Sequence, residues 1–343
     1  MINGSSFCPS EPPFWYNPIL RSIGLFSTFL SIFGMYLTLG KTNKKYNYRY
    51  CQFYMQITAL LTELHISLAM PAYFYFPITG GINCGFWKTY QIRLGITSNF
   101  LISIFIFLFS FQVPAILSCF FYRFFATAYI SPEILTKSIR HSINLILGLY
   151  HFLPFLMAFS LYHSGLTSQQ KYNVISKNYP DCLHILNDFT LEIYDFNENP
   201  TFIVYGIISS TMIVGAFSIA YLTAWKIVKI LNEFKSFMSY KTYQLHRSSI
   251  ISLITQVSGP SCVLGFPIVI AYITVAGQFT GLHGLASTTT FFVSMHSIVE
   301  TTCMILTTPS FRKMVLPKFL LSFDNSQERR QSTSTRKSIV TFF

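Results

Sequence analysis

Residues 92–121 read IRLGITSNFLISIFIFLFSFQVPAILSCFF, and no charged side chain lies between Arg93 and Arg123. A helix needs about 20 mainly apolar residues to cross roughly 30 Å of hydrocarbon, so this stretch reads as a membrane span. Six more of the same kind surround it: Pro18 to Gly40, Cys51 to Pro77, Ile139 to His163, Pro200 to Val228, Arg247 to Ala276 and Leu285 to Thr308. None alternates apolar and polar residues as a membrane barrel strand does. The two halves show no repeat of the kind that marks many transporters. The expected fold is all-α, one bundle of seven transmembrane helices over 18–308, with a terminal segment at 1–17 and a tail at 309–343.

Composition points the same way. Residues of the AVILMFWYC set supply 51% of the chain and charged residues 10%, against roughly 25% charged in soluble domains. So few charges cannot coat a globule in water. The aromatic share of 17% suits a surface that faces lipid tails and headgroups. A net charge of +12 would suggest nucleic acid if it were clustered. It is instead dispersed in short loops between the apolar stretches, which excludes nucleic acid as partner and leaves the lipid bilayer.

The same charges set an orientation. Lys41, Lys44, Lys45 and Arg49 fall in the first loop, Arg123, Lys137 and Arg140 flank the third, and Lys226, Lys229, Lys235, Lys241 and Arg247 surround the fifth. With those after Thr308, this side carries 19 of the 24 Lys and Arg, and the positive side is expected to be cytoplasmic. The N-terminus is therefore expected outside and the C-terminus inside. The long outer loop, Ser164 to Asn199, carries Asp181, Asp188, Glu192, Asp195 and Glu198. The first segment does not read as a cleaved signal peptide, and the first span is expected to act as a signal anchor.

Asn3-Gly4-Ser5 is the one usable glycosylation sequon, because Pro200 blocks Asn199-Pro200-Thr201, and Asn3 falls outside. Cys8, Cys84 and Cys182 also fall outside, where disulfides persist. The expected bridge is Cys84 to Cys182, which would pin the long loop over the mouth of the bundle; pairing through Cys8, or free thiols, are the alternatives. Cys51, Cys119, Cys262 and Cys303 read as small packing residues.

Ionisable groups inside a bilayer are costly and therefore mark candidate sites. Glu63 sits midway along the second span, Glu300 lies in the seventh, and His65 and His296 are nearby. His296 and Glu300 are four residues apart and share a helix face. Two readings stand: a polar cluster between the second and seventh spans that changes protonation or hydrogen bonding as the bundle switches, or a static hydrogen-bonded core. A metal is disfavoured, since no third ligand accompanies the one His/Glu pair. Arg93, one turn inside the third span, could meet an acidic ligand, answer the acidic loop, or snorkel to the interface, which is the favoured reading. Arg123 ends the third span at the cytoplasmic side. The sixth span holds Gln256, Pro260 and Pro267, and each proline removes a backbone hydrogen bond, so this helix is either a moving part or a fixed bend. Pro71, Pro114 and Pro154 read as kinks of the same kind. No phosphate-binding glycine loop, paired-Cys motif or nucleophile elbow is present, so neither enzyme activity nor a cofactor is expected. The tail, with Arg329-Arg330-Gln331-Ser332, reads as a basic segment open to phosphorylation.

Several runs carry a resemblance. Cys8-Pro9 with Pro12 and Tyr16, Leu61-Thr62-Glu63-Leu64-His65-Ile66-Ser67 before Met70-Pro71, Phe76-Pro77-Ile78, Gly80-Gly81 before Cys84, the Gln256, Pro260, Pro267 spacing and Thr308-Pro309-Ser310-Phe311-Arg312 together resemble nematode serpentine chemoreceptors. The pattern is similar to the Str superfamily, class I first and class H next, over nearly the whole chain. The resemblance implies a G-protein-coupled receptor in the ciliary membrane of sensory neurons that detects small environmental molecules. The chain departs from the rhodopsin-like pattern, with no Trp before the sixth-span proline and Thr307-Thr308-Pro309 where Asn-Pro is usual.

The reading that follows is a receptor whose small-molecule pocket opens outward between the third, fifth, sixth and seventh spans, with Arg93, Tyr205 and Tyr272 as ligand contacts. Arg123 is the expected contact for a heterotrimeric G protein. The alternatives are a ligand-gated channel or transporter subunit, which would show a reversed topology or a continuous polar stripe, and a partner that aids the trafficking of other receptors. Nothing in the chain points to an oligomeric state.

Overall fold

The computed structural model describes residues 8–41, 48–129, 135–280 and 283–315. Seven helical rods form the bundle. They are α1 (Tyr16–Tyr36), α2 (Tyr48–Leu64), a broken rod of α4 (Ser98–Ser110) and α5 (Gln112–Ala128), α6 (Lys137–His163), α8 (Thr201–Glu233), α9 (Tyr240–Ala276) and α10 (His283–Thr307). Short helices α3 (Trp87–Leu94), α7 (Ser168–Asn178) and α11 (Pro309–Val315) lie between or after them. Six of the seven rods are long and apolar enough to cross a membrane by themselves. The other, α2, runs against α1, α5 and α10 and keeps Gln52, Gln56 and Glu63 buried, so its polarity faces protein and not lipid. α10 lies central and packs along α9, α1 and α2. The chain is a multi-span membrane protein.

Local chemistry explains the ends. Thr97 caps α4 by accepting from the Phe100 amide at 3.2 Å, Thr136 caps α6, and Ser239 caps α9. Thr167 and Gln170 form a capping box on α7. The third rod breaks at Phe111 because Pro114, in the first turn of α5, has no N–H for the Ser110 carbonyl. Pro154 lies inside α6, and Pro260 and Pro267 lie inside α9.

Two expected spans are corrected here. The second does not continue to Pro77: α2 passes into a π turn, His65–Ala69, and ends because Pro71 disfavours a helical conformation at Met70. Pro71 is therefore a terminator and not a kink. The third does not begin at Ile92, because Gly95 takes a left-handed conformation (φ 65°) that closes α3. Arg93 consequently lies outside the span.

The chain between α2 and α3 folds as a hairpin, β1 (Ala72–Phe74) and β2 (Gly80–Asn83), and β3 (Glu192–Ile193) adds to it in the antiparallel order β1-β2-β3. Gly80 and Gly81 carry no side chain because a Cβ at either would collide with backbone of the neighbouring strand. The sheet, the segment from Cys8 and the long loop share one core that includes Tyr16, Tyr73, Tyr75, Ile82, Ile175 and Ile193. This cap sits over one end of the bundle; the other end carries most of the Lys and Arg.

The expected disulfide is corrected as well. Cys182 pairs with Cys8, at a Cα–Cα distance of 5.7 Å, and Cys84 is free. The Cys84 amide is held to the Pro71 carbonyl at 2.7 Å, which fixes the residue at the end of β2, while the N-terminal segment brings Cys8 across the loop. Asn3 and residues 316–343, including Ser332, lie outside the described residues, although α11 gives the start of the tail a helix with Phe311 buried.

Candidate functional site: a polar core beside an apolar cavity

The bundle brings Glu63 and His296 together, with His296 Nδ1 3.8 Å from Glu63 Oε2. Both residues are fully buried, and among the described residues neither Glu63 carboxylate oxygen accepts a hydrogen bond of good geometry. His296 Nδ1 lies 2.7 Å from the Val293 carbonyl, and a carbonyl only accepts, so the proton is on Nδ1. Its Nε2 then accepts from Gln112 Nε2 at 3.1 Å, and the same amide nitrogen donates to Thr62 Oγ1 at 3.2 Å. Gln112 thus ties α5 to α2 and α10 at once.

Further polar contacts continue along α10. Ser31 and Ser297 hydroxyls lie 3.0 Å apart, and Gln56 Nε2 donates to Met304 Sδ at 2.6 Å. Gln256 Nε2 donates to Ser252 Oγ at 2.9 Å, and Ser252 Oγ lies 2.7 Å from Thr307 Oγ1, which links α9 to α10. Glu300 is buried one turn beyond His296, with Oε1 unpaired among the described residues. His65 faces elsewhere, meeting the Leu101 carbonyl of α4 at 3.0 Å.

A cavity of 290 Å³ borders Gln112. Its walls come from α4 and α5 (Phe109, Val113, Ile116), α8 (Ile213, Ala216, Phe217, Ala220) and α9 (Val257, Ser261, Leu264, Gly265, Ile268). Pro260 and Pro267, both buried, lie within the stretch of α9 that forms this wall. Each leaves without its usual partner the carbonyl four residues earlier, that of Gln256 or Val263.

The three expected ligand contacts do not converge on it. Arg93 is exposed on α3. Tyr205 is stacked on Phe202, which stacks on Tyr194, with centroids 5.9 and 5.4 Å apart. Tyr272 is 73% exposed on the outside of α9. The expected pocket lay between the third, fifth, sixth and seventh spans, and α10 contributes no wall to this cavity. Sequence reading missed Gln112, although Asn99 and Gln112 are the two amide side chains in the charge-free run of the third span.

At the basic end the Arg123 guanidinium lies over the Tyr48 ring, 3.6 Å from its centroid, a cation–π contact that holds α5 to α2. Its Nε is buried without a hydrogen bond among the described residues, and His246 of α9 lies within its electrostatic reach.

In the cap, Lys88 pairs with Asp188 and Lys171 with Glu192, both at 2.8 Å. Burial pushes the Cys84 thiol up to about 12, which leaves it protonated and unreactive at neutral pH.

A family model described as serpentine type 7TM GPCR chemoreceptor Sri matches residues 6–315 of this sequence. No curated protein matches it.

Proposed function

Because the chain belongs to the Sri family of serpentine seven-transmembrane chemoreceptors, we propose that it binds small environmental molecules within the bundle and signals to a heterotrimeric G protein. The finer placement in the class I branch of the Str superfamily, the cap outside and the basic end inside, and residence in a sensory ciliary membrane belong to the same proposal. The observation that carries it is the cavity beside Gln112: an apolar space in the bundle, walled on one side by a helix with two prolines and bordered on the other by a buried polar core. Such a site is mostly apolar with few placed polar groups.

Occupancy of the cavity would bear on the α9 wall between Pro260 and Pro267, and α9 also carries His246 near Arg123. A ligand that favours one α9 position over another shifts the bundle's equilibrium by its difference in affinity for the two. The test is ligand-stimulated nucleotide exchange on a G protein reconstituted with the purified receptor. Exchange that rises with ligand, and is lost in Arg123→Ala at equal surface level, supports coupling. No exchange with any G-protein class, together with ligand-dependent ion current, would move the chain to the channel reading.

A further inference from the structure

We infer that the cavity beside Gln112 is filled from the bilayer, through the furrow between α8 and α9, and that its ligand is a small lipophilic molecule carrying one hydrogen-bond donor. The inference deepens the receptor reading and rests on it for the ligand's purpose, but not for its binding.

Three observations converge. First, the cavity opens sideways. Phe217 and Ile268 line it and are 54% and 58% exposed on the outside of the bundle. An adjoining crevice of 390 Å³ shares Phe217, Ala220, Val257 and Ser261 with it and continues the furrow along both helices. α8 and α9 touch each other only sparsely, since α8 packs on α5 and α6 while α9 packs chiefly on α10.

Second, the direct route from the cap end is obstructed. The N-terminal segment is bridged to the long loop by Cys8–Cys182, the Tyr16 hydroxyl donates to the Ala72 carbonyl at 2.7 Å, and the three-stranded sheet lies beneath. A solute from water would have to part these contacts, whereas one dissolved in lipid meets the furrow directly.

Third, the lining states the ligand's chemistry. Around the cavity the walls are almost wholly apolar apart from Gln112 and Ser261. The Gln112 amide nitrogen is committed to Thr62 and His296. Its Oε1 accepts no bond among the described residues and is not occluded. That oxygen can only accept, so the complementary group is an O–H or N–H at one end of an apolar body. A volume of 290 Å³ lies at the small end of ligand pockets, which suits a medium-chain alcohol better than a phospholipid.

The test uses purified receptor in phospholipid nanodiscs, without G protein, and a diazirine-bearing eight-carbon primary alcohol as probe. Labelled residues are mapped by mass spectrometry. Saturable labelling on Val113, Ala216 or Leu264 is expected, with the matching methyl ether labelling these sites roughly tenfold less efficiently at equal membrane concentration. A Cβ at Gly265 would meet no other atom within 4 Å, so Gly265→Leu can fill the space without strain; it should cut labelling by a similar factor while the unfolding temperature holds. Reducing the Cys8–Cys182 bridge, at a temperature where the reduced receptor remains folded, should leave the labelling rate unchanged.

Labelling that grows with probe concentration without saturating would mean a lipid-filled groove and overturn the site. Faster labelling after reduction would overturn the lateral route. Equal labelling by the ether would remove the donor requirement. Because the readout contains no G protein, saturable labelling without nucleotide exchange would refute coupling alone, and exchange without labelling would refute this site alone.

Discussion

The cap and the α8–α9 wall are built from opposite materials. In the cap nearly every kind of tie is present: a disulfide, two ion pairs, a three-stranded sheet and a tyrosine core. Along α8 only 6% of the membrane-crossing stretch is buried, and along α9 only 17%, against 50% for α10. The two helices turn most of their length outward and touch each other at few points, and sparse contact lowers local stability, so the cap is the fixed part and the seam between α8 and α9 the compliant one. In a receptor this division lets a ligand act on a wall that can yield while the lid stays shut.

The largest expected effect attacks the fixed part. Cys8→Ser or Cys182→Ser opens a bridge that joins residues 174 apart, and loss of such a native bridge costs ~2–5 kcal/mol. Surface level and unfolding temperature should both fall sharply. Cys84→Ser, in contrast, should change neither, because that thiol is free. Should Cys84→Ser mimic Cys182→Ser instead, the bridge assignment and the view of the cap as the anchored region fail together.

Next in size is the effect of uncoupling the compliant side from the basic end. Arg123→Ala removes the cation over Tyr48 and is expected to lower ligand-stimulated exchange by roughly tenfold or more, within the usual range of coupling energies. Surface immunolabelling should be unchanged. An unaltered response would show that α9 signals by some other contact.

A smaller change probes the polar core of α2 and α10. Glu63 is buried with its carboxylate oxygens lacking good hydrogen bonds, and burying an unpaired charge is expensive. Glu63→Gln should leave surface level equal or higher, while basal exchange shifts by roughly threefold, a change of under 1 kcal/mol. If both readouts match the parent receptor, the Glu63–His296 pair is static packing and not part of the switch.

How much of this was legible in the sequence divides along the same line. The bundle was readable because lipid imposes a length and a hydropathy on each crossing, and α6 and α10 fall within two residues of their expected ends. The cap was not, because it is made by contacts distant in sequence: β3 joins β2 from over a hundred residues away, and Cys8 reaches Cys182. Arg93 was misplaced for a local reason, since an apolar run does not reveal that Gly95 turns left-handed. In the candidate site, Glu63, His296 and Glu300 stood out by charge. Gln112 did not, because an amide carries no charge and its three-way role appears only when α2, α5 and α10 are assembled.

The smallest expected effect is a change of pH on the cap, whose two ion pairs set its sign. Burial alone would raise the Asp188 carboxyl, but hydrogen bonds from Lys88 and Thr190 outweigh it and hold the group below its ordinary 3.8. An acid depressed by folding contributes stability above its unfolded value and loses it only as pH falls through the folded one, so nothing is lost between pH 7 and 5. For Glu192, burial outweighs the Lys171 partner and raises the carboxyl above 4.5; its protonation favours the folded cap, so acid here adds stability. Lys88 and Lys171 face these carboxyls, and His184 Nε2 donates to the Cys8 carbonyl at 2.7 Å, a bond that involves neither carboxyl. The rate at which a phosphine reduces Cys8–Cys182 should therefore be no faster at pH 5 than at pH 7. Faster reduction in acid would mean that protonating a carboxylate of these pairs loosens the lid, and the contrast between a fixed cap and a compliant α8–α9 wall would hold only near neutral pH.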